Sequence, residues 1–116
     1  MSNDKVLCIG VKTSDGSPYM KIDGNVEADR DVEVYATVCG NLLCSKDCKR
    51  VLIGEGSSIQ GTITAWEADI YISGKVTNRI CATRVFVTST GYVTGDIECK
   101  RIIVDEGAYV SCNIES

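Results

Sequence analysis

The chain contains no histidine. This single absence removes the usual imidazole base, the commonest nitrogen ligand of zinc, and every Ser-His-Asp or Cys-His arrangement. Also missing is any apolar run approaching the roughly 20 residues that a membrane-spanning helix needs. The opening MSNDKVLCIG lacks the basic start and apolar centre of an export signal, so a cytoplasmic protein is expected. Positive charge is scarce: 12 lysines and arginines face 16 aspartates and glutamates, for a net charge of -4. The basic residues form no cluster on a helix, which argues against nucleic acid as a partner and against membrane binding by charge alone. The seven cysteines are an odd number without an export signal, so a disulfide framework is not expected in a cytosol that keeps thiols reduced.

What the chain does have is an ordinary globular composition, 44% hydrophobic and 24% charged, in 116 residues that suffice for one domain. Within it runs a repeat. Val93, Gly95, Ile97 and Cys99 are preceded 17 residues earlier by Val76, Asn78, Ile80 and Ala82, and 17 before those by Ile59, Gly61, Ile63 and Ala65. Val110, Cys112 and Ile114 follow at the same interval, and Ala68 and Ile70, Val85 and Val87, then Ile102 and Val104 keep step. Upstream the spacing loosens: Val38, Gly40, Leu42 and Cys44 stand 21 residues before Ile59, Gly61, Ile63 and Ala65, and Ile22, Gly24, Val26 and Ala28 stand 16 before those. About four surplus residues in LLCSKDCKR read as an enlarged corner. Val6 to Ile9 read as one edge strand, and TSDGSP (13–18) as a turn.

Inside each unit the apolar residues alternate, which is the period of a strand and not of a helix. The expected fold is therefore all-β: a single-domain, three-sided parallel β-helix of about 17 residues per coil and five to six coils, with residues 1–20 as an N-terminal segment and 21–116 as the solenoid. Seventeen extended residues reach at most roughly 56 Å, enough to circle a small triangular tube. Coils stacked about 4.8 Å apart turn repeated positions into inward columns: Ile59, Val76 and Val93; Ile63, Ile80 and Ile97; Ala65, Ala82 and Cys99. Each buried branched side chain contributes about 1.5 to 3 kcal/mol.

IQGTITA (59–65), GKVTNRICATRVFV (74–87), GYVTGDIECKRIIV (91–104) and GAYVSCNI (107–114) resemble the bactofilin family of bacterial cytoskeletal proteins. The resemblance implies a right-handed β-helix that polymerises end to end, without nucleotide or cofactor, into nonpolar filaments. Such filaments scaffold cell-shape and cell-wall machinery, often at the membrane. It thus implies the chain itself as first partner, with cell-wall enzymes or a membrane surface beyond it. Asn78 and Cys112 stand where the family usually has glycine.

An open solenoid exposes core residues and unpaired backbone at both ends unless a cap covers them. No amphipathic helix is apparent at either terminus, so the last coil, with Tyr109, Val110, Cys112 and Ile114, and the first strand, with Val6, Leu7 and Ile9, are expected to be assembly surfaces. A 17-residue outward column of Leu52, Asp69, Phe86 and Ile103, flanked by Arg50, Arg84, Lys100 and Arg101, is a candidate lateral or partner face. Set against it is the ordinary scatter of apolar residues on any surface.

Cys44, Cys48 and Cys99 fall in slots for small side chains, where a free cysteine acts as a small hydrophobe. Cys39, Cys44, Cys48 and Cys81 lack the paired C-x-x-C spacing of zinc ribbons, and Cys39 and Cys81 are expected to point outward on different columns, with redox sensitivity of this exposed pair as a lesser alternative. Asp105-Glu106 and Asp29 with Asp31 fall at corners, and GEGSSIQG (54–61) lacks the Lys-Ser or Lys-Thr of a phosphate loop. No catalytic residue, cofactor or metal is therefore expected. Hexapeptide acyltransferases also build β-helices, but a six-residue step from Ile53 and Ile59 lands on Ala65 and Tyr71, and those enzymes depend on histidine. A monomeric module with a threonine-studded face fits poorly, because Thr62 is followed by Arg79 and Asp96.

Overall fold

A computed structural model describes residues 7–10 and 21–115, and every regular element among them is a strand. The strands stack in parallel on three faces. The first face carries β1 (Leu7–Gly10), β4 (Val32–Tyr35), β7 (Arg50–Ile53), the end of β9 (Thr62–Ile72), the end of β10 (Lys75–Val87) and β12 (Arg101–Val104). The second carries β2 (Lys21–Asp23), β5 (Thr37–Cys39), β8 (Ser58–Ile59) and the starts of β10, β11 (Tyr92–Glu98) and β13 (Tyr109–Glu115). The third carries β3 (Val26–Ala28), β6 (Leu42–Cys44), the start of β9, the middle of β10 and the ends of β11 and β13. This is the three-sided parallel solenoid that the repeat predicts. TSDGSP and the N-terminal segment around it lie outside the described residues, as does Val6.

The alternating residues fill the tube. Ile59, Val76 and Val93 stack in one buried column, Ile63, Ile80 and Ile97 in a second, and Ala65, Ala82 and Cys99 along the third. Branched aliphatic side chains suit strands whose inner side packs only against the other two walls. Ser57 is the one buried polar residue among those described, and its hydroxyl donates to the Val34 carbonyl at 2.9 Å.

Each of the three edges has its own chemistry. Where the second face turns into the third, Gly24, Gly40 and Gly61 stack at successive coils, with Asn78 and then Gly95 above them. A Cβ on Gly61 would lie 2.0 Å from the Gly40 carbonyl oxygen, so at that position only glycine lets the two backbones close up. The Asn25 and Asn41 carboxamide oxygens extend the ladder there, accepting from the N–H groups of Asn41 and Thr62 at 3.0 Å each. Where the first face turns into the second, repeated turns close with Ser57 N–H to Gly54 O (3.1 Å), Gly91 N–H to Thr88 O (2.8 Å) and Ala108 N–H to Asp105 O (3.2 Å).

The edge between the third and first faces absorbs the irregularities. It holds the expected surplus at 45–49, and it also holds one the repeat concealed. Ala65 pairs with Ala82, 17 residues on, but Ile70 pairs with Val85 and Ile72 with Val87, only 15 on. Residues 66–68 thus span a corner that Thr83 alone spans in the next coil. The expected alignment of Ala68 and Ile70 with Val85 and Val87 is two residues off. A shift of two preserves the inward face of a strand, and Ala68, Ile70 and Ile72 are all buried.

Candidate assembly surfaces

In the column Val34, Ile53, Ile72, Val87, Val104, the first four members are at most 1% exposed and Val104 is 45% exposed. Val104 has the inward position of a core residue, and no described strand stacks above β12. Val110, which continues the buried series Ile59, Val76, Val93, is likewise only half buried. Beside it Tyr109 is 50% exposed and stacks on Tyr92 with ring centroids 4.6 Å apart and planes at 11°. The Lys75 ammonium lies 5.4 Å from the Tyr92 centroid, so a cation–aromatic–aromatic ladder climbs the second face to the open end. The three residues are 17 apart in sequence, the one signal that foretells this ladder. At the other end Ile9 is buried against β4 through the Ile9–Val34 pairing, while Ile22 and Val26 are half buried. The side chains of Leu7, Cys112 and Ile114 lie outside the described residues.

The first face bears the outward apolar column, with a corrected membership. The pairing sets Leu52, Tyr71, Phe86 and Ile103 in one row, because the surplus corner shifts Tyr71 into the place the 17-residue count assigned to Asp69. Asp69 instead joins the neighbouring row with Arg50, Arg84 and Arg101. There its carboxylate accepts two hydrogen bonds from the Arg84 guanidinium, at 2.8 and 3.0 Å, which hold the arginine proton still more firmly than usual. The Arg50 guanidinium stands 4.9 Å from the centroid of Tyr71. The face is therefore an unbroken apolar stripe edged by three arginines and one aspartate.

The cysteines divide differently from the sequence expectation. Cys81, expected outward and exposed, does take an outward position between Thr64 and Glu98, yet it is only 4% exposed. Arg79 bonds to Glu98 at 2.8 Å and also interacts with Cys81, so longer neighbours cover the short thiol. Cys39 is half buried, its thiol donating to the Gln60 side-chain oxygen at 3.6 Å. Cys48 and Cys99 are buried in the core and Cys44 packs against it. Burial pushes the Cys99 thiol up. The Cys48 thiol donates to the Arg50 carbonyl at 3.6 Å, and the influence of each thiol on the other pushes Cys44 up, together with burial, and Cys48 down. Among the described residues no group of three or more cysteines and carboxylates is arranged to hold a metal ion.

Trp66, which the repeat does not flag, stands 51% exposed on the surplus corner, where its carbonyl accepts from the Thr83 hydroxyl at 2.6 Å. No described helix is long and apolar enough to cross a membrane.

No curated protein and no solved structure matches the chain. A family model does: that of the bactofilins, described as polymer-forming cytoskeletal, over residues 17–115. That span takes in all three solenoid faces and the open coil at Val104, and the chain belongs to the bactofilin family.

Proposed function

We propose that this protein is the subunit of a cytoplasmic filament that grows by end-to-end stacking of solenoids, without nucleotide, as a scaffold and not a catalyst. The observation that carries the reading is the break in the Val104 column, buried from Ile9 through Val87 and open at Val104. Closing such an end removes apolar area from water at roughly 25 cal/mol per Å² and satisfies strand edges at the same time. Tyr109 and Val110 share that surface. At the opposite end β1, with Leu7 and Ile9, offers a strand edge that has no partner among the described residues. Residues 21–116 act as the assembling body and residues 1–20 supply its first edge strand.

The filament's cargo is cell-shape or cell-wall machinery, and the first face supports a second contact. Leu52, Tyr71, Phe86 and Ile103, edged by Arg84 and Arg101, repeat with every subunit. A stripe too narrow to hold one partner gains avidity along a polymer. It serves lateral pairing of filaments, a partner protein or a lipid surface.

The test is sedimentation and negative-stain microscopy of the wild type beside Val104→Asp and Val110→Arg, at low and high salt. Wild type is expected to pellet as filaments without nucleotide, and both variants to remain dispersed with unchanged circular dichroism. Folded variants that still form filaments would remove the C-terminal coil from the contact. A wild type that stays monomeric at every salt concentration would favour a monomeric binding module.

A further inference from the structure

On the first face two straight rows run side by side along the axis. Leu52, Tyr71, Phe86 and Ile103 form one, and Arg50, Asp69, Arg84 and Arg101 form the other, two residues earlier on each strand. The 4.8 Å between the Tyr71 and Phe86 centroids matches the usual coil spacing, so the two rings stack along the axis and turn their edges outward. Ring edges carry the positive end of the aromatic quadrupole, and they favour the face of another aromatic system or an anion.

The charges beside the stripe are not equivalent. Asp69 is taken up by Arg84 in a two-point bond, whereas no described carboxylate pairs with Arg50 or Arg101. Those two arginines stand at opposite ends of their row, three coils and about 14 Å apart at the usual strand spacing. Glu33 closes the apolar row below Leu52, where it accepts from the Tyr35 hydroxyl at 3.0 Å. On the far side of the stripe, two residues beyond Tyr71 and Phe86, the hydroxyl of Thr88 donates to that of Ser73 at 3.0 Å. The result is a narrow apolar strip with hydroxyls along one side and a cation at each end of the other.

We infer that this strip binds an elongated planar aromatic dianion, its flat body laid along the ring edges, one acid group at Arg50 and the other at Arg101. A guanidinium meets a carboxylate through two parallel N–H donors, so each end of the ligand is fixed in direction as well as in position. A cation of the same shape meets Arg50 and Arg101 as like charges. The strip is one side chain wide, and its two aromatic members are half buried and stacked on each other. They form a shelf for a flat molecule, not a wedge that enters a lipid layer. The inference rests on the stripe of the second contact proposed above and is independent of filament growth, because a single chain carries all four strands.

The test is a fluorescence titration of the protein with a stilbene bearing a carboxylate at each para position, checked by equilibrium dialysis. Wild type is expected to bind one molecule per chain, and the stilbene carrying amidinium groups at the same places is expected not to bind. Arg50→Gln and Arg101→Gln, with unchanged circular dichroism, are each expected to weaken binding about tenfold. Lys75→Gln, which alters the cation–aromatic ladder of the second face, is expected to leave it unchanged. Absence of saturable binding by wild type overturns the proposal, as does equal binding of the amidinium compound or a loss confined to Lys75→Gln. Flotation with phosphatidylglycerol vesicles that the dicarboxylate fails to displace would give the strip to lipid and also overturn it. So would filament bundles that Arg101→Gln disperses while no dicarboxylate binds, which would give the strip to a second copy. Sedimentation of wild type, which tests filament growth, is read separately from all of these.

Discussion

The ring of Phe86 lies flat on that of Tyr71, with centroids 4.8 Å apart and planes 9° from parallel. The two residues are 15 apart in sequence, and it is the surplus corner at 66–68 that brings them into register. Stacked aromatic pairs contribute about 0.5 to 1.5 kcal/mol beyond the area they bury. A double-mutant cycle on Tyr71→Leu and Phe86→Leu, read by denaturant unfolding of dispersed protein, is therefore expected to give a coupling energy in that range. Additive losses would mean that the rings do not stack in solution.

Gly95 and Gly24 separate two reasons for using glycine. Both have left-handed backbone, φ 112° and 130°, but a Cβ on Gly95 would lie 1.8 Å from the Asn78 carbonyl oxygen, whereas one on Gly24 meets nothing within 4 Å. Gly24→Ala is expected to cost about 1 to 2 kcal/mol for its backbone alone. Gly95→Ala must also push two coils apart, for a loss on the order of 4 kcal/mol. Equal melting temperatures for the two variants would contradict the close coil contact.

Deleting Trp66 and Glu67 together would shorten their corner to the length that Thr83 spans one coil later. The inward residues on both sides keep their phase, so the deleted protein is expected to retain the wild-type circular dichroism and a cooperative melt. An unfolded product would show that residues 66–68 are required by the fold, and are not a tolerated excess.

Burial raises the Cys99 thiol above its ordinary value. A group that binds its proton more tightly in the folded chain contributes stability that is fully present below the unfolded thiol range and is lost as pH rises through the folded value. Stability is therefore expected to decline on the alkaline side, and Cys99→Ala to reduce that decline relative to wild type. The check is the urea midpoint of each protein at neutral and alkaline pH. Parallel pH profiles for the two proteins would exclude Cys99 as a contributor.

The solenoid and its columns were legible because repetition and alternation are properties of spacing alone. Ile63, Ile80 and Ile97 could be assigned to one column with no knowledge of corners. The position of Asp69 could not. A two-residue slip leaves every inward residue inward, so the apolar pattern carries no trace of it, and the true partners emerge only from the pairing of Asp69 with Arg84. Cys81 was misjudged for another reason: alternation gives the direction of a side chain, while its exposure depends on the length of its neighbours, here Arg79 and Glu98. The bond from the Cys48 thiol to the Arg50 carbonyl required the folded path of a corner that departs from the repeat.

The enlargements at 45–49 and 66–68 sit one above the other on the same edge, while the other two edges are held by touching glycines and tight turns. The triangular cross-section consequently has one distinguishable vertex. Any length of chain grafted there projects from the tube without entering its wall, and in a stack of subunits those grafts would mark the orientation of each copy about the long axis.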